Sequence, residues 1–179
     1  MTPIVRIPYL LIFLLGVLLS ACDVLDEQSF TVSGSEVSFA IAEQFESNTF
    51  TVSQTVANPD FAAKLKERGL PTSMLTSLRF ASLTLRVASE DPAFKLGSIS
   101  DLKVTMAAEG GTPLTVASGS FEGWDGDEAL LTVGDVELLD FWDSPTLDYR
   151  LTFTVTDLPR QPVEVEIDPK FTVTTSVFN

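Results

Sequence analysis

The chain has 179 residues, with 11 Lys and Arg against 25 Asp and Glu, no histidine and one cysteine. A formal charge of −14 argues against nucleic acid, which is gripped by Lys and Arg on its phosphates, and against electrostatic docking on anionic lipid. Without histidine or a second cysteine there is no Ser-His-Asp or Cys-His nucleophile, no zinc site built on His or Cys and no haem held by them, and no Gly-rich loop matches a phosphate or dinucleotide fingerprint.

In chain order, the first element is a targeting segment. Met1–Pro8 carry one charge, Arg6, and Tyr9–Leu19 are uninterrupted apolar residues. Leu19-Ser20-Ala21-Cys22 follows, then acidic Asp23, Asp26 and Glu27. A basic start, a short apolar run and a small-residue cleavage site describe a secretory signal. The run is too short for a bilayer core, which needs about 20 apolar residues.

Leu19-Ser20-Ala21-Cys22 resembles the lipobox of bacterial lipoproteins at all four positions. The resemblance implies a diacylglyceryl group on the Cys22 sulfur, cleavage before Cys22 and a membrane-held protein of the bacterial cell envelope. No further cofactor is expected. Asp23 is similar to an inner-membrane retention signal of some bacteria and to a surface-export signal of others, so inner membrane, outer membrane and cell surface all stay open. Loss of residues 1–21 removes Arg6 and leaves 158 residues with a formal charge of −15, enough for one domain with a real core. Residues 22–29 read as a lipidated tether and residues 30–179 as the domain.

The domain alternates apolar and polar residues, as half-buried strands do. Val37, Phe39 and Ile41 form one strand; Phe50, Val52 and Val56 form another. Asn58-Pro59-Asp60 offers capping groups for a short helix in which Phe61 and Leu65 lie one turn apart, and which stops at Gly69 and Pro71. Leu78 and Phe80 share one phase while Leu83, Leu85 and Val87 share the other, which predicts a β-bulge near Ala81-Ser82. Leu102–Met106, Leu114–Val116 and Leu131–Val133 are further strands, with a helical turn at Val136–Trp142. The last two, Leu147–Val155 and Val163–Val177, are predicted to form a hairpin. Its register would set Arg150 opposite Asp168 and Asp148 opposite Lys170, pairing opposite charges. Pro162 and Pro169 favour an edge position or a bulge for the final strand.

Seven or eight strands with one short helix predict an all-β, antiparallel, immunoglobulin-like sandwich. Residues 58–179 also resemble uncharacterised envelope lipoproteins with a helix before a long Leu/Thr strand and a terminal hairpin, a likeness that implies no activity.

Between Lys103 and Arg150 there is no Lys or Arg, ten Asp and Glu, and both tryptophans. Trp124, Asp125, Asp127 and Trp142 are the candidate surface for an envelope-protein or glycan partner, since Trp is enriched at binding hot spots. The bland alternative is solvated acids with aromatics plugging the sandwich ends. Asp125-Gly126-Asp127-Glu128 also suits Ca²⁺ by ligand type, without the spacing of an EF-hand, so no metal ligand is assigned. Glu164, Glu166 and Asp168 have the spacing of paired glycosidase acids but lie on a regular strand. The Phe-rich phase, which includes Phe45 and Phe178, fits a packed core or a cavity for an apolar ligand. The expected function is a non-enzymatic, lipid-anchored binding or structural module with no catalytic residues. The alternatives are a carrier of an apolar ligand and a carboxylate-dependent glycan-active enzyme.

Overall fold

The computed structural model describes residues 27–41, 47–89 and 94–176. Residues 1–21, Cys22, Phe45, Val177 and Phe178 lie outside the described residues. The strands are β1 (Glu27–Ser33), β2 (Val37–Ile41), β3 (Thr49–Ala57), β4 (Leu75–Ser89), β5 (Ile99–Ala108), β6 (Leu114–Gly119), β7 (Glu128–Leu130), β8 (Thr132–Val133), β9 (Thr146–Val155) and β10 (Val163–Ser176). The helix α1 spans Phe61–Glu67. No helix among the described residues is long and apolar enough to cross a membrane.

Two five-stranded sheets face each other. The first runs β1-β10-β4-β7, with β2 beside β1 on the same edge of β10; the second runs β3-β9-β5-β6-β8. Every pairing is antiparallel. The pairs β2·β10, β3·β9, β4·β7 and β5·β6 nest inside one another, as if one long hairpin had been rolled up. That order is a jelly roll. The all-β sandwich is therefore as expected, with more strands than the expected seven or eight, while its strand order is not the immunoglobulin one.

The predicted terminal hairpin does not form. β9 pairs with β3 and β5, whereas β10 pairs with β4, β1 and β2. Arg150 faces Ser53 and Thr105, and Asp168 faces Thr84, so the Arg150–Asp168 and Asp148–Lys170 pairs are absent. The reason is general: period-2 alternation says which side of a strand is buried, and it is identical for neighbours in one sheet and for strands facing each other across the core.

Nor is β10 an edge strand, despite Pro169. On the side where Pro169 has no N–H to give, the partner strand is interrupted between β1 and β2, and the Pro169 carbonyl accepts the Gly34 N–H at 2.8 Å. Gly34 is needed for this approach, because a Cβ there would stand 2.7 Å from Pro169 Cγ and 2.9 Å from Phe171 Cε2. One residue on, the β10–β4 register slips: Lys170 pairs with Ser82 and Phe171 with Phe80, leaving Ala81 as the bulge. The bulge returns Phe80 and Leu83, in opposite phases of the sequence, to the same core.

The helix follows its caps. Asp60 Oδ1 accepts the Ala63 N–H at 2.8 Å, with Pro59 one residue before it. Gly69 has a φ of 71°, and the Gly69→Lys66 and Leu70→Leu65 backbone bonds close a Schellman stop. Phe61 and Leu65 are buried. Phe61 meets Phe171 edge-on at 5.3 Å, and Phe171 meets Phe80 at 4.8 Å. These rings fill the space between the sheets near the helix. The expected turn at 136–142 appears as a 3-10 turn, Leu139–Phe141.

The strand directions define two poles. One collects the start of β1, the end of β10, α1 and the 134–145 segment. The other collects the β6–β7 loop, the Leu96–Ser98 turn and the β9–β10 connection. Glu27–Ser29, read as tether, already belong to β1.

Candidate functional site

The β6–β7 loop is held from several directions. Phe121 is buried at its start, and its N–H donates to Ile99 O at 3.1 Å. The Trp124 N–H closes a turn on Phe121 O at 2.7 Å, with Gly123 between them at a φ of 78°. Lys95 Nζ meets Asp125 Oδ1 at 3.0 Å, and the Val87 N–H reaches Asp127 O at 2.9 Å. The hydrogen bond from Lys95 to Asp125, with the acid's charge, raises the Lys95 pKa above its ordinary value. Gly97 lies so close to the loop that a Cβ there would overlap Trp124 O and stand 3.1 Å from Trp124 N and C. A tightly tethered loop thus presents an indole that is 49% exposed. Leu158, also exposed, lies in the β9–β10 connection, whose Thr156 N–H donates to Ser98 O at 2.8 Å. The Leu96–Ser98 turn is thus met by Trp124 on the one hand and by Thr156 of the β9–β10 connection on the other.

Trp142 belongs to the opposite pole. It is half-buried and stacks on Phe61 at 6.0 Å. Asn58 Nδ2 donates to Phe141 O and Ser144 O, both at 2.8 Å, which ties this segment to the start of α1. The ten residues of β9 separate the poles, on the order of 30 Å at about 3.4 Å per residue. Trp124, Asp125 and Asp127 share one loop, but Trp142 does not join them, so the four are not one surface.

The acids divide by partner. Asp125 pairs with Lys95, and Glu128 pairs with Arg86 at 3.2 Å. Arg86 also meets Glu166 at 3.4 Å and Glu36 at 4.0 Å. The Glu128 hydrogen bond is the largest influence raising the Arg86 pKa. Glu164 accepts from Ser38 Oγ. Glu164, Glu166 and Asp168 thus line the outward side of β10 beside ordinary sheet partners. Among the described residues no three carboxylates are grouped as a metal site requires.

Glu137 was not legible as special. Its Oε1 accepts the Leu78 N–H at 2.7 Å and the Leu138 N–H at 3.1 Å; its Oε2 accepts from Ser77 Oγ at 2.7 Å and Arg79 Nε at 3.3 Å. Leu138 N–H also reaches Leu78 O at 2.8 Å. The carboxylate therefore stands in for a strand partner where β4 runs past the short β7. Partial burial is the largest single influence and opposes the charge, but the four hydrogen bonds outweigh it and hold the Glu137 carboxyl below its ordinary pKa.

No protein-family model matches the chain, and no curated relative matches its sequence. Its fold is similar to solved structures of low identity. An infectious bursal disease virus Gt-strain structure has a TM-score of 0.40 at 12% identity over 86% of this chain and 34% of that one. A decameric BFDV capsid protein has 0.38 at 13%, over 83% and 99%. A carbohydrate-binding module of the β-sandwich superfamily has 0.30 at 10%, over 81% and 55%. The chain spans about a third of the first of these. Such likenesses concern the fold and carry no function to this chain.

Proposed function

We propose that the chain is a lipid-anchored, non-enzymatic binding module of the bacterial cell envelope, attached through Cys22 and presenting the Trp124 loop at its membrane-distal pole. The observation that carries this reading is the short distance between anchor and fold. Only residues 23–26 separate the lipobox cysteine from β1, a reach of roughly 18 Å from Cys22 to Glu27 even when fully extended. The start of β1 shares a pole with α1 and Trp142, and the Trp124 loop belongs to the other. β10 runs nearly the length of the sandwich with 14 residues, on the order of 45 Å. The indole therefore stands well away from the bilayer, where a partner reaches it. Supporting this, the chain has no histidine and no second cysteine, and four hydrogen bonds hold the loop that carries the half-exposed Trp124.

The test is quenching in vesicles. A Trp142→Phe chain, whose remaining indole is Trp124, is reconstituted through its lipid. Trp124 fluorescence is expected to yield to a water-soluble quencher and to ignore a quencher confined to the bilayer. A Cys22→Ser chain is expected to stay off the membrane altogether. Quenching from within the bilayer would invert the proposed orientation, and a membrane-bound Cys22→Ser chain would remove the anchor.

A further inference from the structure

The outer face of the second sheet carries a cleft of about 390 Å³, within the range of small-ligand sites of about 300–1,000 Å³. Two cross-strand rows form its floor. Ser53, Arg150 and Thr105 make one; Thr55, Asp148 and Ala107 make the other. Gly110, Gly111 and Pro113 of the β5–β6 loop wall it. It lies far from the Trp124 loop, nearer the anchored pole.

Lys64, Arg79, Arg86 and Lys95 each hold a carboxylate. Arg150 makes no ion pair among the described residues, and the one side-chain bond it donates there runs from Nε to Ser53 Oγ at 3.3 Å. Its terminal nitrogens are left open at the cleft. With Asp148 two residues away on the same strand face, the cleft thus holds an open guanidinium and a carboxylate side by side. Asp148 accepts from Thr55 Oγ1 at 2.5 Å through Oδ1, leaving Oδ2 as an open acceptor. On one strand face these two residues lie about 6.6–6.8 Å apart.

We propose that this cleft binds an acidic sugar, with the sugar's carboxylate on Arg150 and its ring hydroxyls on Asp148, Ser53 and Thr105. A guanidinium matches a carboxylate in plane and in donor spacing. A carboxylate beside Ser and Thr hydroxyls suits a polyol, whose groups both donate and accept. The small Ala107 and the loop glycines leave room for a ring above the sheet. The inference is independent of the Trp124 reading and of the anchor.

The experiment is saturation-transfer NMR on the full chain in detergent, with glucuronic acid and glucose as paired probes at millimolar concentration. Glucuronic acid is expected to bind and glucose to bind at least about tenfold more weakly, the equivalent of about 1.4 kcal/mol. Arg150→Gln should abolish the preference while leaving the fold intact by circular dichroism, since Arg150 is exposed. Asp148→Asn should weaken both sugars. Equal binding of the two sugars, no binding of glucuronic acid, or an unchanged preference in Arg150→Gln would each overturn the proposal.

Discussion

Replacing Gly97 by alanine asks whether the Trp124 loop is as tightly seated as its contacts imply. The new Cβ would overlap the Trp124 carbonyl oxygen and lie 3.1 Å from two further backbone atoms, against a preferred separation of about 3.5–4.0 Å. Leu96 and Ser98 on either side are buried, so the turn has little freedom to withdraw. The loop must therefore move by on the order of 1 Å. Movement strains the Trp124–Phe121 turn and the Lys95–Asp125 pair. Overpacking of this kind costs about 1–3 kcal/mol. For a domain of this size, each kcal/mol moves the melting temperature by about 2–4 °C, so a fall of about 2–12 °C is expected. The assay is thermal unfolding together with acrylamide quenching of Trp124, both in a Trp142→Phe background. An unaltered melting temperature with unaltered quenching would show that the loop is loosely held, and the idea of a preorganised indole would be lost.

Other expectations rest on separate contacts. Phe171 is 1% exposed and touches both Phe61 and Phe80; Phe171→Ala should cost about 3–5 kcal/mol in urea unfolding, and a loss below about 1 kcal/mol would mean the site collapses freely. Glu137 has a folded pKa below its ordinary value, so it adds stability above the unfolded carboxylate pKa of about 4.3, and that stability is lost as pH falls through the folded value. Glu137→Gln should therefore be less stable than the parent at neutral pH, and the gap should shrink in acid; a gap independent of pH would contradict this. Burial raises the Tyr149 pKa, so the fold favours the neutral phenol: its contribution is complete below about pH 10 and is lost as the solution becomes more alkaline. In a chain expressed without residues 1–21 Tyr149 is the sole tyrosine, and its ultraviolet ionisation should coincide with alkaline unfolding rather than precede it.

Local chemistry was legible in the sequence, and long-range partnership was not. Asp60 and Gly69 announce α1 because caps act within a turn of the chain. The phase change between Phe80 and Leu83 reveals the Ala81 bulge because a strand must keep its apolar side inward. The same alternation in β9 and β10 cannot say that they enter different sheets. Pro162 and Pro169 suggested an edge or a bulge; the register slips just after Pro169, and the gap between β1 and β2 accommodates that proline inside the sheet, which depends on Gly34, 135 positions away. Trp124 and Trp142 seemed neighbours within one acidic stretch; the short strands β7 and β8 intervene as the chain passes from one pole to the other. Arg150 and Asp148 read as the polar side of β9, and only the registers with β3 and β5 surround them with Ser53, Thr55 and Thr105. Glu137 looked like one solvated acid among ten. Its four hydrogen bonds exist because β7 is too short to cover β4.

The central claim is that Cys22 carries the anchor of a sandwich whose first strand begins five residues later. The most direct test is the intact mass of the protein extracted from membranes. The account predicts a chain that starts at Cys22 and carries a diacylglyceryl group, with no such species from Cys22→Ser. A mass that retains residues 1–21, or a processed chain without lipid, would contradict it.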